Sequence, residues 1–321
     1  MKRAFAIQVA SPAQAVAVRE VEPPTAGPGE VVVRVHAAPV NPADLLLLSG
    51  RHLARPELPS PVGIEGAGEI LQVGSGVTAW RPGQRVALPF GGTWSEQVVV
   101  SEHTPVAIPD DLSMDQAAML CVNPVTAGLL LEGLAPGDTI LQNAAGSAVG
   151  RLVIRLAAAR GIRTINVVRR AQQVEPLRAL GASVVLVGDE DLAARIRREL
   201  GGARVARGLD AVAGAATGRL LDGVSDEGTV ICYGLLSADE VVLPARGLVF
   251  RGVVVRGLSR LRELHKLEPA ARSSLMSELA SRVASGELAS TIEASYALDQ
   301  VALAVTHAEQ PTRTGKILLR P

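Results

Sequence analysis

The stretch Thr139-Ile-Leu-Gln-Asn-Ala-Ala-Gly-Ser-Ala-Val-Gly150, followed by residues 151–160 and by Gly161-Ile-Arg-Thr-Ile-Asn-Val-Val-Arg-Arg170, decides the fold. It reads as strand, small-residue turn, helix, strand. The apolar run of residues 139–141 is short enough for a buried parallel strand. Gly146 and Gly150 let the backbone turn tightly and the helix begin close to a bound pyrophosphate. The helix N-terminus then offers unpaired N–H groups to the anion. Ala145, Gly146, Ser147, Ala148, Val149 and Gly150 are the expected phosphate cradle.

The end of the second strand bears on which dinucleotide is bound. An NAD site usually places Asp or Glu there to hold the ribose hydroxyls. This chain has Val167-Val168-Arg169-Arg170, with no carboxylate before Glu175. A guanidinium fork suits a ribose 2′-phosphate, so Arg169 and Arg170 point to NADPH rather than NAD. Paired arginines are also common as solvated loop residues, a reading that leaves the cofactor choice open.

At 321 residues the chain is long enough for two domains, each with its own core. Its formal net charge of +0 gives no support to a general attraction for nucleic acid or an anionic membrane, so any anion site is local. Cys121 and Cys232 lie far apart without CxxC spacing, which argues against a disulfide framework or a cysteine-rich zinc lobe. Residues 1–10 superficially resemble a signal peptide, but Gln8 interrupts the apolar run, and they read better as a first strand. No apolar stretch approaches the roughly 20 residues of a membrane helix. A cytoplasmic enzyme is the expectation.

Residues 1–114 read as an irregular, mostly β domain. Short strands at 30–36, 67–74, 85–88 and 95–100 lie between turns such as Ala26-Gly-Pro-Gly29 and Arg81-Pro-Gly-Gln84. From 115 to 253 the texture is α/β, a doubly wound parallel sheet, with a helix over 116–131 and strands at 139–142, 164–168, 184–187, 209–212 and 229–233. Residues 254–321 form a C-terminal segment that returns to the first domain and partly completes it. Residues 241–243 and 253–255 are candidate edge strands, and an edge needs cover, so a homodimer is expected.

These motifs together resemble the medium-chain dehydrogenase/reductase superfamily, in its zinc-independent branch of quinone oxidoreductases and, most closely, mitochondrial-type 2-enoyl thioester reductases. The resemblance rests on Asn41-Pro-Ala-Asp44, Pro56-Glu-Leu-Pro59, Gly63-Ile-Glu-Gly66, Gly92-Thr-Trp-Ser-Glu96, Val122-Asn-Pro-Val-Thr-Ala127, Leu134-Ala-Pro-Gly-Asp138, Leu180-Gly-Ala182, Tyr233-Gly234 and Gly315-Lys316. It implies a GroES-like catalytic domain beside a Rossmann-type one, and a reductase of activated double bonds, with a quinone or enone oxidoreductase or a non-catalytic NADPH-binding relative as alternatives. The substrate implied is a small molecule or an acyl group on coenzyme A or an acyl carrier. The zinc-dependent relatives supply metal ligands where this chain has Asn41, Ile64 and Val122, so no catalytic zinc is expected.

In the reduction implied by the resemblance, hydride reaches the β-carbon, charge grows on the carbonyl oxygen and a proton reaches the α-carbon. The enoyl reductases place a tyrosine donor in a Gly-x-Tyr segment, which here is Gly50-Arg-His52. His52 is the donor candidate, since imidazole can donate an N–H; a solvent-facing loop residue is the alternative. Asn41 either polarises a carbonyl or caps the helix that starts near Pro42. Thr126 matches a threonine under the nicotinamide in the family, or is a buried helix hydroxyl. Tyr233, Gly234 and Leu235 follow the last central strand and would present backbone to the carboxamide, with Phe250 as a second backbone contact and apolar wall. Arg251, Arg256, Arg260, Arg262, His265 and Lys266 are locally basic and suit a carrier phosphate, or form a solvated face.

Overall fold

The computed structural model describes residues 1–188 and 190–321, and the chain divides into two compact units, Met1–Val122 with Ser273–Pro321, and Asn123–Arg272. In the first unit the strands are β1 (Lys2–Ala6), β2 (Val16–Glu20), β3 (Glu30–Pro39), β4 (Ser60–Pro61), β5 (Gly66–Val73), β6 (Arg85–Leu88), β7 (Gln97–Ser101) and β8 (Val106–Ala107). β3 organises them. Its Val31, Val32, Val33 and Val35 are all buried, because one edge of β3 pairs antiparallel with β5 and the other with β7. Valine suits a pleated strand covered on both faces. At the β3–β5 irregularity a Cβ on Gly68 would stand 1.9 Å from the Arg34 carbonyl oxygen, so no other residue fits there.

The second unit is built on β9 (Thr139–Gln142), β10 (Arg163–Val168), β11 (Val184–Val187), β12 (Arg207–Asp210), β13 (Thr229–Cys232) and β14 (Val254–Gly257). All pair in parallel, in the order β11-β10-β9-β12-β13-β14. This is a Rossmann-type doubly wound sheet. β9 is buried along its whole length and β10 from Thr164 on, which accounts for their near-continuous apolar runs.

β15 (Ile292–Ala297) and β16 (Lys316–Arg320) then join the first unit, where β16 pairs with the end of β3 through Leu318 opposite Pro39 and Leu319 opposite Ala38. They extend the GroES-like sheet to the order β15-β16-β3-β5-β6-β8, with β7 also on β3.

The units divide at 122 and 272, where the sequence reading put 114 and 253. The first difference has a side-chain cause. Gln116 exchanges hydrogen bonds with the backbone of Ser290, Asp115 pairs with Arg320, and the Val122 N–H donates to Glu65. The second follows from β14 and the helix Arg260–Lys266, which complete the parallel sheet before the chain leaves.

The helix expected over 116–131 is two helices, Met114–Ala117 and Asn123–Leu130, separated by turns at 118–122, and Pro124 lies in the first turn of the second, where a missing N–H leaves no helical bond unmade. Residues 241–243 form no strand; Val241 makes a single bridge to Gly214, and Pro244 follows. The sheet edge on that side is β14 alone.

Trp94 anchors the turn of residues 92–96. It is fully buried, and its Nε1–H donates to the Pro39 carbonyl at 3.2 Å. Trp94→Ala is expected to destabilise the protein by about 3–5 kcal/mol, through the void and the lost bond, as read by urea unfolding followed by circular dichroism.

Candidate functional site

In a parallel sheet every loop that follows a strand emerges at the same edge. From β9 the chain proceeds to β10 and β11 on one side, and from β12 to β13 and β14 on the other. The crevice opens where these directions part, at the carboxyl ends of β9 and β12, and it is there that an open α/β sheet takes its ligand.

The loop after β9 is built for an anion. Ser147 caps the helix Ala148–Ala159, its Oγ accepting the Gly150 N–H at 3.1 Å. Gly146, Ser147, Ala148 and Val149 are partly exposed, whereas Ala145 and Gly150 are buried behind them. A Cβ on Gly150 would lie 2.6 Å from the Ala145 carbonyl oxygen, so this glycine permits the close packing of helix on turn. Ala145 and Gly150 therefore shape the cradle, and the four residues between them face outward.

Buried polar side chains brace the same edge. Gln142 Nε2 donates to the Gly150 carbonyl at 3.0 Å and to Asn166 Oδ1 at 2.7 Å, linking β9, β10 and the first turn of the helix. Asn143 Nδ2 donates to Asp210 Oδ1 at 2.6 Å, and the Ala211 N–H returns to Asn143 Oδ1 at 2.9 Å. Asp210 also accepts from Val212 N–H, Ala213 N–H and the Thr217 hydroxyl, so this fully buried carboxylate is matched by donors. Arg151 Nε donates to the Gly146 carbonyl at 3.2 Å. The sequence reading gave these side chains no role; the available signal was the presence of Gln142, Asn143 and Asn166 within or directly after short apolar strands.

Arg169 and Arg170 follow β10, on the strand adjacent to the cradle, one exposed and the other half-buried. Neither guanidinium bonds to a described residue. Tyr233, Gly234 and Leu235 emerge at the same edge after β13. The Leu236 N–H donates to the Ala211 carbonyl at 3.0 Å, and a Cβ on Gly234 would stand 2.8 Å from that same oxygen. Glycine is needed for this approach. The Tyr233 hydroxyl is buried without a partner among the described residues, and burial first, then the charge of Asp210, holds its pKa up.

Thr126 lies in the buried helix Asn123–Leu130. Arg207, which opens β12, donates to the Leu130 carbonyl at 2.7 Å, so the far end of that helix lies at the amino edge of the sheet and Asn123 and Thr126 toward the carboxyl edge. Asn123 Nδ2 is another buried donor with no partner among the described residues.

Phe250 is a correction. It precedes β14, and its neighbours Arg251 and Glu227 join backbone to backbone at 2.8 Å beside the start of β13. It therefore stands at the amino edge, opposite the cradle, with 84% of its surface exposed. The residues that reach the carboxyl edge from β14 are Leu258 and Ser259; the Leu258 N–H donates to the Cys232 carbonyl at 2.9 Å. The basic run is split for the same reason. Arg251 is paired with Asp226 at the amino edge, and Lys266 with Glu263 beyond the carboxyl edge.

In the first unit Asn41 precedes the helix Pro42–Leu48, and its own N–H donates to Asp44 Oδ2 at 2.9 Å. Its carboxamide does something else. Nδ2 donates to Glu65 Oε1 at 3.0 Å, and Oδ1 accepts Lys316 Nζ at 2.5 Å. With 1% of its surface exposed and both carboxamide heavy atoms bonded to Glu65 and Lys316, Asn41 is held within the unit rather than at an open surface. Burial pushes the Asp44 carboxyl up to about 7 and the Lys316 ammonium down to about 8.

His52 is half-buried at the other end of the same helix, its N–H on the Leu46 carbonyl. The helix separates it from Asn41 by about 10 Å. His52 Nδ1 accepts the Ala54 N–H at 3.0 Å, which puts the proton of neutral imidazole on Nε2 and leaves that N–H as the donor.

Two family models match the chain, the alcohol dehydrogenase GroES-like domain over residues 27–110 and the zinc-binding dehydrogenase over residues 148–276. The mitochondrial enoyl-acyl-carrier-protein reductase of Bos taurus is 34% identical over 96% of this chain and 85% of its own length. That of Xenopus tropicalis is 38% identical over 71% of this chain and 68% of its own. Among solved structures, a quinone oxidoreductase of Pseudomonas syringae is 32% identical with a TM-score of 0.91, covering 100% of this chain and 99% of that one. The Escherichia coli quinone oxidoreductase complexed with NADPH is 25% identical with a TM-score of 0.92, and 100% of each chain is covered.

The buried cluster makes a pH-dependent prediction. The Asp44 pKa is raised from 3.8 to about 7, so the folded state binds this proton more tightly than the unfolded chain does. Its contribution is present in acid and is lost as pH rises toward 7. Asp44→Asn keeps an acceptor for the Asn41 N–H and removes the titration. The stability of wild type relative to this variant should therefore fall between about pH 4 and pH 7, measured by urea unfolding at each pH; a constant difference would refute the assignment.

Proposed function

We propose that this chain, which belongs to the medium-chain dehydrogenase/reductase superfamily, is an NADPH-dependent, zinc-independent reductase of activated carbon–carbon double bonds, with a 2-enoyl thioester as substrate class. The observation that carries the cofactor reading is the pairing of an anion cradle at Gly146, Ser147, Ala148 and Val149 with two uncommitted guanidinium groups, Arg169 and Arg170, at the end of the neighbouring strand. The residues fit the group. A Cβ at Gly150 would strike the Ala145 carbonyl oxygen and disrupt the turn behind the cradle, and the buried Tyr233 hydroxyl and Asn123 amide are donors without partners among the described residues. Tyr233, Gly234, Leu235 and Thr126 would hold the nicotinamide end, with Leu258 and Ser259 in place of Phe250.

NADPH, when bound, supplies the hydride. His52 supplies the hydrogen-bond donor, its Nε2–H bonding the thioester carbonyl oxygen as charge grows there. Asn41 acts from behind, holding Glu65 and Lys316. Zinc chemistry is not part of the reading, because Ile64 and Val122 carry no metal-binding group and the Asn41 carboxamide is engaged.

A quinone or enone oxidoreductase is the second reading. It is favoured by the histidine at position 52 and by the quinone oxidoreductases among the structural neighbours.

We also propose a homodimer through β14, the sheet edge, where Val254 is 52% exposed and Val249, Phe250 and Val242 lie exposed nearby in the chain. No helix among the described residues is long and apolar enough to cross a membrane, and neither Cys121 nor Cys232 is in a disulfide; the cytoplasm is the compartment proposed.

Consumption of NADPH with a medium-chain enoyl-CoA tests the activity, and turnover of quinones or small enones alone would move the assignment to the second reading. Binding of the cofactor without turnover of any substrate would refute both. Arg169→Ala and Arg170→Ala should each weaken NADPH binding by roughly tenfold and leave NADH unchanged. His52→Ala should lower kcat on the order of 10²-fold with little change in the NADPH Kd; wild-type turnover would remove His52 from the site.

A further inference from the structure

One side chain outside the expected set lies directly on the cradle. After Arg170 the chain makes a single turn over Ala171–Gln173, the Gln173 N–H donating to the Arg170 carbonyl at 3.1 Å. That turn throws the Gln173 side chain back across the sheet edge, from the loop after β10 to the loop after β9. A Cβ built on Gly146 would stand 2.1 Å from Gln173 Nε2 and 2.9 Å from Cδ, so the carboxamide packs in the space that the glycine leaves. It makes no hydrogen bond to any described residue, although the side chain is half-buried. A half-buried amide with its donors unused has a cost that the protein recovers only from a ligand or water.

The position of this amide defines its chemistry. In a sheet of this order the pyrophosphate sits at the helix N-terminus after the first strand and the adenosine ribose at the end of the second. Gln173 spans from the second loop to the first, so its amide stands between those two places. Glu175, the first carboxylate after the arginines, is exposed and paired with Arg178.

Resting on the NADPH reading above, we propose that Gln173 is a third determinant of cofactor selection: its carboxamide covers Gly146 when no nucleotide is bound and turns to donate Nε2–H to the ribose 2′-phosphate beside Arg169 and Arg170. The amide is neutral, so it adds a directed donor to the two cations without adding charge. It also explains how the glycine turn is kept from open solvent by a group small and flexible enough to leave.

The test is the ratio of NADPH to NADH dissociation constants, measured by calorimetry on the full-length protein for wild type, Gln173→Met and Gln173→Glu. Methionine keeps the volume and loses the donor; glutamate keeps the shape and places a negative charge beside the 2′-phosphate. The methionine variant should bind NADPH about tenfold more weakly with NADH unchanged. The glutamate variant should lose more than about tenfold for NADPH and hold or gain for NADH, whose ribose hydroxyls a carboxylate accepts. Equal effects on both nucleotides, or none, would overturn the role of Gln173. If wild type binds neither nucleotide or prefers NADH, the cofactor reading itself fails. If wild type prefers NADPH and Arg169→Ala reduces that preference while both Gln173 variants leave it intact, only this inference fails. Unchanged thermal midpoints without nucleotide would show that the variants are folded.

Discussion

Parallel pairing is the constraint on which the second unit depends. Six strands aligned in one direction send every following loop to one edge, and the reversal of winding between β9 and β12 keeps two of those loops from covering each other. The glycine turn, the arginine pair, the Asp210 loop and the Tyr233 segment therefore converge, although they lie far apart in the sequence. The same constraint excludes Phe250, which precedes its strand. It also divides the basic run of residues 251–266 between opposite edges.

The edge is made rigid by polar groups under it. Gln142, Asn143, Asn166 and Asp210 are all nearly or fully buried, and their bonds run between strands and into the first turn of the cradle helix. A buried amide or carboxylate tolerates few arrangements, because each unmatched donor or acceptor is costly in a low dielectric. Such a network fixes the turn more sharply than apolar packing alone. It leaves the outward residues, Gly146 to Val149, with backbone groups already oriented.

In the first unit the corresponding fixed point is the group of Asn41, Asp44, Glu65 and Lys316. An ammonium with 3% exposure is tolerable only where acceptors surround it, and Lys316 finds the Val40 carbonyl and Asn41 Oδ1 there. Because Lys316 opens β16, these bonds tie the last strand of the chain to the start of the helix Pro42–Leu48. That helix in turn presents His52 from its far end, where the Ala54 N–H sets the imidazole tautomer. Asn41 is thus part of the support of this group, and the imidazole of His52 lies beyond the far end of the helix.

Local pattern determined much of this protein. The strands 85–88, 139–142 and 184–187 and the cradle of small residues before Ala148 could be read directly, because short buried strands and their glycine turns leave apolar and small-residue signals within about ten residues. The arginine pair at the end of β10 was legible for the same reason. Tertiary structure alone decided the rest. Whether Phe250 lies at the ligand edge depends on strand direction, whether Asn41 is free depends on Glu65 and Lys316 from distant segments, and whether Gln173 reaches Gly146 depends on two adjacent strands ending side by side. These are long-range pairings of polar groups, and a chain read residue by residue carries no period that announces them.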